Sequence, residues 1–196
     1  MNLKTIDYLK NPDKKNLLLF TGSIMLCLSA GLISKIFVTP EALIWYEYLL
    51  KPALTPPAWL FQDIWAVLYL LMGISLYLVL NSENINQDVF LDKLKKLKIN
   101  PEPCLTKGNK KYGLIIFGIQ LSLSILLIPV FLGLKSVFGG FVISILMLAS
   151  VCLMLYKFYK ITIPAALLII PSVLWSAYLV GLNLTFWILN NTQWIF

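Results

Sequence analysis

Polar and apolar positions in this chain separate into blocks rather than alternating residue by residue. Almost unbroken apolar stretches run from about Asn16 to Val38, Trp59 to Leu80, Tyr112 to Leu134, Val137 to Tyr156 and Ile163 to Leu189. A bilayer's hydrocarbon core is about 30 Å thick, and a helix rises about 1.5 Å per residue, so about 20 apolar residues make one crossing. The pattern predicts an all-α integral membrane protein, a five-transmembrane-helix bundle forming one membrane domain over residues 1–196. Barrel strands are excluded, because they would alternate over about 10 residues where these runs are continuously apolar for twice that length. The first stretch is too long for the core of a cleavable signal peptide, and no convincing small-residue cleavage site follows it. It is expected to remain as a helix.

One long polar segment interrupts the pattern, residues 81–111. Within it Phe90, Leu94 and Leu97 recur at i, i+4 and i+7 among lysines, the spacing of a short amphipathic helix that Pro101 and Pro103 would stop. Such a helix suits a regulatory arm, or a basic linker lying on a leaflet.

Composition agrees with the blocks. Hydrophobic residues make up 59% of the 196 and charged ones only 13%, with a mean hydropathy of +0.83, against about 25% charged in soluble domains. All sixteen basic residues are lysines, and thirteen of them lie in the N-terminal tail, the 81–111 segment and the turn after the fourth stretch. Lys35, Lys51 and Lys135 alone fall on the other side. Cytoplasmic loops carry the excess of positive charge, so the N-terminus is expected in the cytoplasm and the C-terminus outside. A net charge of +7 that borders membrane spans, with no nucleic-acid-binding motif beside it, points to anionic lipid headgroups and not to nucleic acid.

Several chemistries drop out. There is no histidine, which removes imidazole acid–base relays, histidine metal sites and histidine ligation of haem iron. Cys27 and Cys152 fall inside spans and Cys104 in the polar segment, an odd set that supports no disulfide framework. No glycine-rich phosphate loop and no close carboxylate pair within a span is present. Asp63 stands near the start of the second stretch, where a helix dipole favours an acid. No metal site and no required cofactor follow from this inventory.

Aromatic and amide chemistry remains. Trp65, Tyr69 and Met72 share one face of the second stretch, and Trp175, Tyr178 and Leu182 repeat the pattern on the fifth, with Asn183 adjacent. Two facing aromatic stripes could form a slot for a planar apolar ligand. A membrane-interface belt explains Trp45, Trp59 and Trp194, whereas Trp65 and Trp175 lie further inside their spans. Gln120 and Ser124 share a face of the third stretch, and amides at that depth need partners. They either join the third and fifth helices by hydrogen bonds or serve a ligand. Small residues recur at every fourth position in Ser23, Cys27 and Gly31, and again in Gly140 and Ser144, which permits close helix approach within a protomer or between two.

The stretch WYEYLLKPALTPPAWLFQDIWAVLYLLMG resembles the signature of the tryptophan-rich sensory protein and translocator protein family, once called peripheral benzodiazepine receptors. Trp45, Tyr46, Leu49, Lys51, Pro52, Pro56, Pro57, Trp59, Phe61, Trp65, Leu68, Tyr69, Met72 and Gly73 carry the match. Further on, QLSLS at Gln120 and PSVLWSAYLVGLNLTFWILN from Pro171 are similar to later family motifs. The resemblance implies a five-helix bundle, commonly a homodimer, whose pocket under the loop between the first two helices takes porphyrins as ligands. It places Trp45, Tyr46, Pro56, Pro57, Trp59, Phe61, Trp65, Tyr69, Gln120, Ser124, Trp175, Tyr178 and Asn183 at that pocket. Trp65 and Trp175 match the tryptophans linked to light-dependent porphyrin breakdown in some bacterial members, so the alternatives to a sensor or transporter are a porphyrin-degrading enzyme and a scaffold without a ligand. The chain departs from the pattern at Ser124, where the family has asparagine, at Leu127, where it has tryptophan, and at Ser172, where it has tyrosine. Leu184 and Ile188 leave the family's sterol motif unmet.

Overall fold

A computed structural model describes residues 14–82 and 110–191. The proposed amphipathic helix of the polar segment, Cys104 and Trp194 lie outside them. The described residues form α1 (Lys14–Lys35), α2 (Pro40–Tyr48), α3 (Ala58–Leu80), α4 (Lys110–Ile128), a π-helical turn (Pro129–Gly133), α5 (Val137–Ile161) and α6 (Ile163–Asn191). The five long helices are each apolar enough to cross a bilayer. They pack in a ring in the order α1, α3, α6, α5, α4 and back to α1.

Each helix turns a narrow stripe inward. On α4 the buried positions are Gly113, Phe117, Gln120, Ser124 and Leu127, and on α6 they include Ile169, Ser172, Ser176, Leu179, Leu182 and Phe186, all at spacings of three or four. The outer faces remain apolar. Leu18, Met25 and Leu32 line one exposed face of α1, a surface whose natural solvent is lipid.

Small residues set the helix spacing. A Cβ on Gly73 of α3 would stand 2.7 Å from the Ile24 Cα and 3.1 Å from the Ser23 carbonyl oxygen, so α1 and α3 touch backbone to backbone there. Gly31 leaves room for the Tyr69 ring, and Gly140 for Phe131 and Asn183. Ser23, Cys27 and Ser144 are buried. Both small-residue stripes are thus used for packing inside the protomer.

Two helix ends differ from the hydropathy windows by more than the rest. Pro129 has no N–H to donate, so the third span ends its α-helix at Ile128 and closes with the π-helical turn, after which Lys135 takes a left-handed φ of 50°. The fourth span continues past Tyr156 to Ile161, because Phe158 and Ile161 bury inward while Lys157 and Lys160 sit on its flank. The segment between the first two spans also departs from expectation. It contains a helix, α2, begun by Pro40 and capped by the Thr39 hydroxyl, which accepts from the Ala42 N–H at 3.3 Å.

Candidate functional site

The segment from Thr39 to Pro57 lies across one end of the ring, and specific contacts hold it there. Asn190 near the end of α6 clasps the backbone of Leu50: the Leu50 N–H donates to Asn190 Oδ1 at 3.0 Å, and Asn190 Nδ2 donates to the Leu50 carbonyl at 3.1 Å. The Tyr178 hydroxyl donates to the Leu54 carbonyl at 2.7 Å. Prolines keep this lid non-helical between α2 and α3, since Pro52, Pro56 and Pro57 fix φ and carry no donor. Lys51 bonds Glu47 at 2.7 Å and stands 4.9 Å from the centre of the Tyr46 ring. Burial raises the Tyr46 phenol above its ordinary range, against the pull of Lys51. At the start of α2, hydrogen bonding to its own backbone and to Thr39, together with Lys135, holds the Glu41 carboxyl below its usual range.

Beneath the lid two groups of rings meet α6. Tyr46 contacts Phe131 and Phe186 at centroid distances of 6.3 and 6.0 Å, and Trp45 contacts Phe131 edge-on at 5.8 Å. On the α3 side Phe61 touches both indoles, Trp65 at 6.3 Å and Trp175 at 5.5 Å, while Tyr69 and Tyr178 extend the row at 5.5 and 5.0 Å from them. The two aromatic stripes therefore converge, with Phe61 seated against both tryptophans. Both indole N–H groups are buried and without an acceptor, as is the Ser172 hydroxyl one turn before Trp175. Such groups are uncommon in folded proteins, because a buried donor loses water without compensation.

The remaining expected residues are distributed unevenly. Tyr69 is buried between α1 and α3 against Gly31, touching the site only through Trp65. Trp59 is 65% exposed and stands apart from the ring cluster. Pro56 is half-buried and Pro57 exposed at the lid's return to α3. Gln120 and Asn183 do not join the third and fifth spans. Gln120 accepts from the Ser150 hydroxyl of α5, and Asn183 donates to the Leu179 carbonyl of its own helix at 2.9 Å, beside Gly140. Ser124 donates to the Gln120 carbonyl. These amides sit where α4 and α6 meet α5, the helix that lies between them in the ring. Phe131, Phe186 and Asn190 complete the lid contacts. No periodic signal marked them, although Asn190 ends the last quoted motif.

An open groove of about 480 Å³ runs between α3 and α6, lined by Asp63, Ile64, Val67, Leu68, Pro171, Leu174 and Trp175. Trp175 belongs both to this groove and to the cluster under the lid. The lid itself can be tested. Asn190→Leu removes both bonds to Leu50, which should loosen the lid by about 1–2 kcal/mol. Faster amide exchange at Leu50 with α6 unchanged is the expected readout, and unaltered exchange would show that the clasp does not hold the lid.

A ring of five membrane-spanning helices with a covered aromatic cluster at one end defines a multi-pass membrane protein. The chain belongs to the TspO/MBR family, whose model matches residues 23–188. It is 30% identical to the tryptophan-rich protein TspO of Chlorobaculum tepidum over 90% of this chain and 98% of that one. It is likewise 30% identical to protein CrtK of Rhodobacter capsulatus, over 89% and 94%. Human translocator protein shares 28% identity over 81% of each chain.

Proposed function

We propose that the protein binds a planar, largely apolar tetrapyrrole of the porphyrin class between the lid and the α3 and α6 tryptophans, and acts as a sensor or transporter of it. The observation that carries this reading is the pair of buried indole N–H groups on Trp65 and Trp175, both packed on Phe61 and neither given an acceptor by the protein. A ligand that moved Phe61 aside would meet two flat indole faces and two donors. Flat rings stack there, and pyrrole nitrogens or a carboxylate edge supply acceptors. Tyr46 and the lid would close the outer edge, and Asn183 the side toward α5.

Titrating purified protein with protoporphyrin in the dark, then illuminating it, separates the readings. Saturable Soret-band shifts and tryptophan quenching without light-dependent loss support binding. Loss of the macrocycle under light would assign a degrading activity, and neither change would leave a scaffold. The lysine distribution supports an N-terminus in the cytoplasm. A cysteine added at the C-terminus should then label from outside spheroplasts and one at Lys96 should not, and reversed labelling would invert this orientation. A homodimer is the assembly the family resemblance suggests. Its partner surface must lie outside the Ser23 and Gly140 stripes, which are occupied within the protomer. A single-protomer mass in native detergent complexes at all concentrations would exclude it.

A further inference from the structure

The two ends of the bundle differ in charge. At the lid end Lys35, Lys51 and Lys135 face Glu41, Glu47 and Asp63, equal numbers of each sign. The whole net charge of +7 therefore belongs to the opposite end and to the segments that leave it, where thirteen lysines meet six acids. Even complete pairing of those acids leaves seven positive charges.

Six of the thirteen lysines stand at described helix ends, all to one side of the ring. At that end α1 begins at Lys14 and Lys15, α4 begins at Lys110 and Lys111, and α5 finishes through Lys157 and Lys160. These helices are consecutive in the ring, so these lysine-bearing helix ends form an arc. The helix ends that close the ring at the same level carry no charge, Leu80 to Ser82 after α3 and Ile163 to Pro164 opening α6. Close packing tightens the arc at one point. A Cβ on Gly113 would stand 2.9 Å from Ile161 Cδ1 and 3.6 Å from Phe158 Cε1, which sets the start of α4 directly on the end of α5. The Lys157 and Lys160 ammonium groups lie 5.7 and 5.5 Å from the centre of the Tyr156 ring, and Tyr156 is exposed on the outer face of α5. Their charges are thus held at the membrane-facing edge. Directly along the same helix toward the bilayer's middle, Leu153 and Leu146 present exposed apolar surface.

We propose that the α4–α5 edge is a binding site for anionic phospholipid, with the phosphate headgroup among Lys110, Lys111, Lys157 and Lys160 and the acyl chains along the exposed face of α5. Charge complementarity supplies the headgroup, and the apolar face below it requires that the phosphate belong to a lipid. Long amphipathic lysines suit this boundary, because their stems lie along apolar surface while the ammonium reaches the headgroup level.

The full-length protein in phosphatidylcholine bilayers containing spin-labelled phosphatidylglycerol or spin-labelled phosphatidylcholine tests this. Phosphatidylglycerol should be motionally restricted in preference to phosphatidylcholine, and high salt should reduce the preference. Lys157→Gln/Lys160→Gln should lower it by about 5-fold or more, the factor expected from removing headgroup-level cations. Lys157→Arg/Lys160→Arg should retain it, and Lys35→Gln/Lys135→Gln at the lid end should leave it unchanged. Equal restriction of both lipids by the parent would overturn the proposal, and this arm needs no variant to fold. A preference that survives loss of Lys157 and Lys160, or that falls equally with the lid-end pair, would refute the placement at this edge.

Discussion

Replacing Trp65 or Trp175 by phenylalanine should weaken protoporphyrin binding by about 5- to 100-fold while leaving the fold intact. Each substitution removes part of a stacking face, where an aromatic pair contributes about 0.5–1.5 kcal/mol beyond its buried area. It also removes a donor worth about 0.5–1.5 kcal/mol net once an acceptor arrives. Together these amount to about 1–3 kcal/mol, and each 1.4 kcal/mol or so is tenfold in affinity. In the ligand-free protein the same substitutions delete an uncompensated buried N–H, so stability should hold or rise slightly. Opposite signs for affinity and stability distinguish a ligand-directed indole from one that only fills space. Trp59→Phe, at a 65% exposed position, is the control and should change neither. Unchanged protoporphyrin titrations for both Trp65→Phe and Trp175→Phe would move the site away from these rings.

Adding one methyl group at Gly73 should damage the bundle more than any surface change. The new Cβ would lie 2.7 Å from Ile24 Cα, a backbone atom that no rotamer change can move, so α1 must shift away from α3. Overpacking of this kind destabilises by about 1–3 kcal/mol. Gly31→Ala presses on the Tyr69 ring at 2.8 Å, a side chain that can yield, and should do less. Gly118→Ala on α4 meets nothing within 4 Å, and alanine's better helix propensity should make it neutral or mildly stabilising. Thermal unfolding in detergent ranks the three. A Gly73→Ala midpoint equal to that of Gly118→Ala would mean that the close approach of α1 and α3 does not limit stability.

The spans were readable because hydrocarbon imposes a coarse requirement that each crossing be apolar for about 20 residues. Their ends were less so. Hydropathy falls at Lys157 and Lys160, yet α5 runs on to Ile161, since a lysine on a helix flank stops neither the backbone hydrogen bonds nor the burial of Phe158. Hydropathy reads the stretch around Pro40 only as a connection between the first two spans, but proline at a first helical position starts a helix when a capping residue such as Thr39 precedes it. Of the candidate site, the aromatic stripes that carry Trp65 and Trp175 followed from helical spacing and from the quoted motifs. The placement of Phe61 against both did not, nor did the partners of Gln120 and Asn183.

The sequence by itself determined the number of crossings, the apolar exterior, the uneven charge of the two ends and the helix faces that carry aromatic rings, because all of these depend on periodicity and composition within one segment. Only the tertiary structure decided which faces meet. The ring order brought Gln120 to Ser150 on α5, closed the Leu50 backbone onto Asn190 and turned Trp59 outward while Trp65 went in. Those outcomes depend on contacts between segments far apart in the chain. They are fixed by where a missing side chain, as at Gly73 or Gly140, lets one helix come close to another.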